Sequence, residues 1–127
     1  MPPRISDDDG RLALAAALAS FSAGVHPVRG DLLTAVRWTL VRLAEEHPGR
    51  SVEVRVPPAG AVQVVEGTRH TRGTPPNVVE TDPRTWLELA TGRLAWAEAL
   101  GAGKVFASGV RADLGPYLPV IPPEATP

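Results

Sequence analysis

The chain contains no cysteine, and this one absence removes disulfides, thiolate catalysis and zinc–thiolate sites together. Aromatic residues are scarce, at 5% of 127 residues, so any core has to be assembled mainly from alanine, valine and leucine. Lysine occurs once, as Lys104, and basic residues do not exceed acidic ones: the net charge is -1. Neutralising nucleic-acid phosphates needs a clear cationic surplus, so nucleic acid is not an expected partner. Long apolar runs are also missing. The longest, Leu12 to Ala19, falls far short of the roughly 20 residues that span a bilayer, and no basic helical face marks a membrane-surface helix. Stable membrane insertion is therefore not expected. The first nine residues lack the basic and apolar regions of a signal peptide, which makes the cytoplasm the expected location.

Recognisable catalytic patterns are absent too. His26, His47 and His70 are far apart, and no pair has the helical spacing that puts two imidazoles on one metal. No Gly-x-Ser-x-Gly elbow occurs, and no Gly-x-Gly-x-x-Gly follows a strand. Gly67 to Gly73 lacks the Lys-Ser/Thr ending of a phosphate-binding loop. The expectation is no catalytic residue, no metal and no cofactor.

What is present is 43% hydrophobic residues in a chain the length of one domain, with loose ends expected over 1–7 and 121–127. Asp7 to Asp9 precede an Ala/Leu-rich stretch in which Leu14, Leu18 and Phe21 share a helical face, predicting a helix from about Asp8 to Ser20. Asp31 is the expected cap of a second helix, with Leu33, Val36, Leu40 and Leu43 as its buried stripe and His47-Pro48-Gly49 as its stop. The period then drops to two. Val52, Val54 and Val56 alternate with Glu53 and Arg55, Pro57 to Gly60 forms a turn, and Ala61 to Glu66 completes an antiparallel hairpin. Gly67 to Gly73 reads as a third strand or a polar loop, and Asn77 to Glu80 as a short extended piece. Thr81-Asp82-Pro83 starts a helix that Gly92 closes. A short helix from Trp96 to Leu100, a strand from Lys104 to Ser108 and a closing helix from Asp113 to Leu118 follow. This order predicts an α+β fold, a mixed or antiparallel sheet of about five strands with helices on one face.

The segment from Pro83 to Val120 resembles the sterol carrier protein type 2-like superfamily, particularly its short actinobacterial members. The likeness rests on Gly92-Arg93-Leu94, the short helix Ala95 to Leu100, Ala102-Gly103-Lys104-Val105 and Gly109, in that order and without a gap. The resemblance implies an apolar cavity or tunnel between sheet and helices, a lipid or acyl-type ligand, and no catalysis. A larger enzyme relative joins such a domain to a metal-binding helical bundle, for which this chain shows no counterpart. The lipid carriers usually place phenylalanine where Leu100 and Gly101 stand here.

Two groups of residues are candidates for binding. Trp86, Leu89, Trp96, Leu100, Phe106 and Tyr117 lie within the family-like segment, as ordinary core or as the wall of an apolar pocket. Arg69, His70 and Arg72 stand in the most polar stretch, Glu66 to Glu80, where they either fix a strand edge through ion pairs or receive an anionic head group. The leading expectation is a non-catalytic domain holding an apolar or amphipathic small molecule. The alternatives are a protein-interaction module with a closed core, in the form of a homodimer, and an enzyme acting on a thiol or acyl conjugate.

Overall fold

Helix α1 (Asp7–Ala23) starts where Ser6 accepts a hydrogen bond from the Asp9 backbone N–H at 3.1 Å. Asp7, Asp8 and Asp9 fill its first turn, where negative charge complements the helix dipole. The structure, a computed structural model, describes residues 4–67, 77–122 and 125. Ala13, Leu14, Ala17 and Leu18 bury one face of α1 against α2 (Arg29–Glu46). The second helix begins two residues ahead of Asp31, the expected cap. Val28 occupies the cap position without a side-chain bond, and Asp31 acts on the dipole from inside the first turn. The two helices approach closely at Gly10, where an added Cβ would lie 2.2 Å from the Trp38 ring. Only glycine leaves room for that indole.

Strands β1 (Val52–Val56) and β2 (Gly60–Val64) form the expected antiparallel hairpin, in register from Val52↔Val64 to Val56↔Gly60. On the other side of β1, β3 (Asn77–Thr81) pairs in parallel, and β4 (Val105–Ser108) then pairs antiparallel with β3. The sheet order is β2-β1-β3-β4, a mixed sheet. It has four strands among the described residues where about five were expected. The second strand also stops short of the expected Glu66, because Val65 adopts φ +67° and leaves the ladder; its carbonyl accepts the Ser51 N–H at 3.0 Å and the Ser51 hydroxyl at 2.7 Å. The rest of the expected third strand, from residue 68 onward, lies outside the described residues.

Side-chain alternation assigns the two faces. Val52, Val54, Val56 and Val79 are buried toward the helices. Glu53, Arg55, Val78, Glu80 and Phe106 share the opposite face by register, with Arg55 donating to Glu53.

Helix α3 (Pro83–Ala90) starts as its sequence predicts: Asp82 accepts from the Thr85 N–H at 3.1 Å and from the Thr85 hydroxyl at 2.6 Å. It ends at Gly92, φ +78°, where the Gly92 N–H bonds Leu89 and the Arg93 N–H bonds Glu88. Helix α4 (Trp96–Gly101) ends with the same pair of bonds and releases the chain into β4. The expected closing helix over Asp113 to Leu118 is instead one 3-10 turn, Gly115–Tyr117. Asp113 accepts the Gly115 N–H two residues on, and Pro119 holds Leu118 extended, so no second turn forms. The N–H groups of Val120 and Ile121 both bond the Ala90 carbonyl at 2.9 Å, which buries Ile121 against the end of α3.

Candidate functional site

Helix α2 presents two stripes. Of the expected stripe, Val36, Leu40 and Leu43 belong to the buried core, while Leu33 is half-buried and packs against it. About half a turn away on the helix, Trp38, Val41, Arg42 and Glu45 recur at i, i+3, i+4 and i+7 and face a cavity of about 550 Å³. The β1–β2 hairpin contributes Ala59, Ala61 and Val62 to its walls, and Ile5 contributes from the segment ahead of α1. The walls are therefore mainly apolar, with charged groups set among them.

Each charged group has a traceable position. Arg37 donates its Nε to the Ala59 carbonyl at 2.8 Å and so fastens the hairpin turn to α2. Arg4 pairs with Glu45 at 2.6 Å. The Arg42 guanidinium lies over the Trp38 ring, 5.5 Å from its centroid, and Arg11 approaches the same ring at 5.7 Å. Trp38 donates its indole N–H to Asp7 Oδ1 at 3.1 Å, and Arg42 Nη1 stands 3.7 Å from that oxygen. The Trp38 hydrogen bond, with the charges of Arg42, Arg11 and Arg4, holds the Asp7 carboxyl below the usual aspartate value against a smaller opposing desolvation. Arg42 Nε is buried and finds no hydrogen-bond partner among the described residues.

The six apolar residues singled out from the sequence lie elsewhere, and none lines this cavity. Trp86 and Leu89 are core residues of α3; the Trp86 indole N–H donates to the Thr39 hydroxyl of α2 at 2.8 Å. Trp96 and Tyr117 pack against the core, and the Tyr117 ring tilts against His47 at 4.8 Å. Leu100 is exposed on α4, and Phe106 is 64% exposed on the sheet face opposite the buried valines. Arg69, His70 and Arg72 lie outside the described residues. Of the polar stretch around them, Asn77 is buried and structural: it donates to the Ser51 carbonyl at 2.7 Å and accepts from the Arg111 N–H at 2.9 Å.

Sequence reasoning missed Trp38, Val41 and Arg42. Their signal was a second helical stripe offset from the leucines, an aromatic and a valine flanked by arginines. Spacing alone reads such a stripe as an ordinary boundary between core and solvent. A half-open cleft of this volume falls within the roughly 300–1,000 Å³ of small-molecule sites, and its walls suit an apolar chain.

Residues 28–120 match the family model described as bacterial SCP ortholog, that is, sterol carrier protein ortholog. The match covers most of the chain, and the chain belongs to this bacterial sterol-carrier-protein-like family. The family points to a lipid-binding and generally non-catalytic domain. A comparison with curated proteins finds no match. The matched range takes in α2 and the hairpin, which form most of the cavity wall, but not α1 or the segment carrying Arg4 and Ile5. No helix among the described residues is long and apolar enough to cross a membrane.

Proposed function

We propose that this domain is a non-catalytic binding module that holds an apolar or amphipathic small molecule of lipid or acyl type between α2 and the β1–β2 hairpin. The observation that carries the reading is the cavity of about 550 Å³ walled by Trp38, Leu40, Val41, Ala59 and Val62. Displacing water from such walls stabilises a bound apolar chain by roughly 25 cal/mol per Å² of apolar surface buried. Native mass spectrometry of protein purified from its own cells tests it. The expected result is a reproducible small-molecule adduct that disappears in Val41→Trp, a substitution that fills the cavity from a partly exposed helix position. A clean unliganded mass in the unaltered protein overturns the reading.

A second reading, an interaction module acting as a homodimer or on another protein, is supported by Phe106, which is exposed on the sheet face opposite the buried valines. Exposed aromatics of this kind recur at protein interfaces. Its signature in the same spectra is a defined dimer or partner mass that Phe106→Ser dissociates without touching any small-molecule adduct.

A further inference from the structure

We infer that the ligand of this cavity carries an anionic head, a carboxylate or a phosphate, that seats on Arg42, and that residues 4–6 form a strap which the arriving anion releases. The inference rests on the proposed reading of the cavity as a small-molecule site.

Three arginines line the cavity against one carboxylate, Glu45. Two of the three are committed: Arg37 Nε is bonded to the Ala59 carbonyl, and Arg4 is paired with Glu45. Arg42 is not. Its Nε is buried without a partner among the described residues, and its approach to Asp7 is a long 3.7 Å to an oxygen that already accepts the Trp38 indole. A guanidinium offers a rigid fork of N–H donors that matches a carboxylate or phosphate edge, and a buried unpaired donor is costly. Stacking on Trp38 fixes the plane of that fork at the cavity wall. Beyond its buried Nε, the Arg42 side chain keeps 29% of its surface exposed, and an anionic head meeting it there supplies a closer partner than Asp7, while its chain lies along the apolar walls.

The strap follows from the same contacts. Ile5 is part of the wall, the Arg4–Glu45 pair ties the segment on one side of it, and Asp7 meets Arg42 and Trp38 on the other. Both sides of the Arg4–Glu45 pair are solvent-accessible, so this tie is weak. An anion entering the cavity competes with Asp7 for Arg42 and with Glu45 for Arg4. Binding the head and loosening the strap are then one event.

Calorimetric titration of the whole chain with hexadecanoate, hexadecyl phosphate and hexadecanol tests this. Both acids are expected to bind about tenfold tighter than the alcohol, the scale of one charge-assisted pair. Arg42→Gln removes that preference and leaves alcohol binding unchanged. Asp7→Asn keeps an oxygen for Trp38 but removes the competing charge, so it strengthens binding of the acids alone; a merely structural Asp7 moves all three ligands together. A preference between the two acids identifies the source as a phosphorylated or a carboxylic amphiphile. Equal affinity for acids and alcohol overturns the head-group inference and leaves the cavity reading standing. No binding of any of the three overturns both. Should Arg42→Gln fail to fold, unchanged acid affinity in Asp7→Asn is sufficient to overturn the inference.

Discussion

Two tryptophans divide the molecule. Trp86 sits at the junction of α3 and α2, fully buried, with its indole N–H on Thr39, whose hydroxyl bonds back to Ala35 and Val36. Trp38, the residue next to Thr39 on α2, is nearly as buried but borders the cavity and hands its N–H to a solvent-exposed carboxylate, Asp7. One indole closes a core; the other walls a space. The difference shows that burial alone does not separate filler from site: what lies on the far side of the ring does.

The largest expected effect tests that division directly. Trp86→Ala is expected to cost about 3–5 kcal/mol, the range for deleting a large buried aromatic, because every side of the ring is packed. Trp38→Ala is expected toward the bottom of that range: the ring is nearly as buried, but the space it vacates adjoins the cavity and can fill with water. Urea unfolding of the two variants checks both values. Equal losses break the comparison and show that the cavity wall is packed as fully as the core.

A smaller change sharpens the open side. In Gly10→Ala the new methyl meets the Trp38 ring at 2.2 Å, so either α1 or the indole must shift. Overpacking of this kind costs about 1–3 kcal/mol, against about 1 kcal/mol gained from helix propensity. The net expectation is a loss of up to about 2 kcal/mol in urea unfolding, with weakened uptake of any cavity ligand as the indole moves toward the space. A neutral Gly10→Ala means that Trp38 has slack to give, and its wall is softer than the geometry indicates.

The sealed side was also the legible one. Thr81-Asp82-Pro83 foretold the start of α3, and Gly92 its end, because caps and left-handed stops are decided within a few residues. On the open side only the hairpin was equally legible, from the alternating valines of β1. Other features depended on distant partners. Asp113 looked like a cap, yet Pro116 and Pro119 limited what followed it to a 3-10 turn. Val65 gave no local warning of its left-handed backbone, which is held by bonds to His47 and Ser51. The cavity was the least legible feature of all. It arises from where a hairpin turn and the residues ahead of α1 meet the second stripe of α2, and no single segment of sequence contains all three.

The smallest expected effect is a pH dependence confined to the open side. Asp7 is the acceptor for Trp38, and Arg42, Arg11 and Arg4 all approach it; together they depress its carboxyl below the ordinary aspartate value, near 3.9. A group whose folded value is depressed stabilises the fold above its unfolded value, and that contribution is lost as pH falls through the folded one. Against Asp7→Asn, the unaltered protein is therefore expected to hold a small advantage in melting temperature at neutral pH. The advantage shrinks below about pH 4 and vanishes once the carboxyl is protonated in both states. High salt reduces it at every pH, because Asp7 is exposed and its charges are screened. Trp86 and Thr39 carry no titrating group, so a variant on the sealed side, Trp86→Phe, is expected to show a stability deficit that does not vary over the same pH range. A deficit that tracks pH in both variants ties the two tryptophans into one unit and removes the distinction between filler and site.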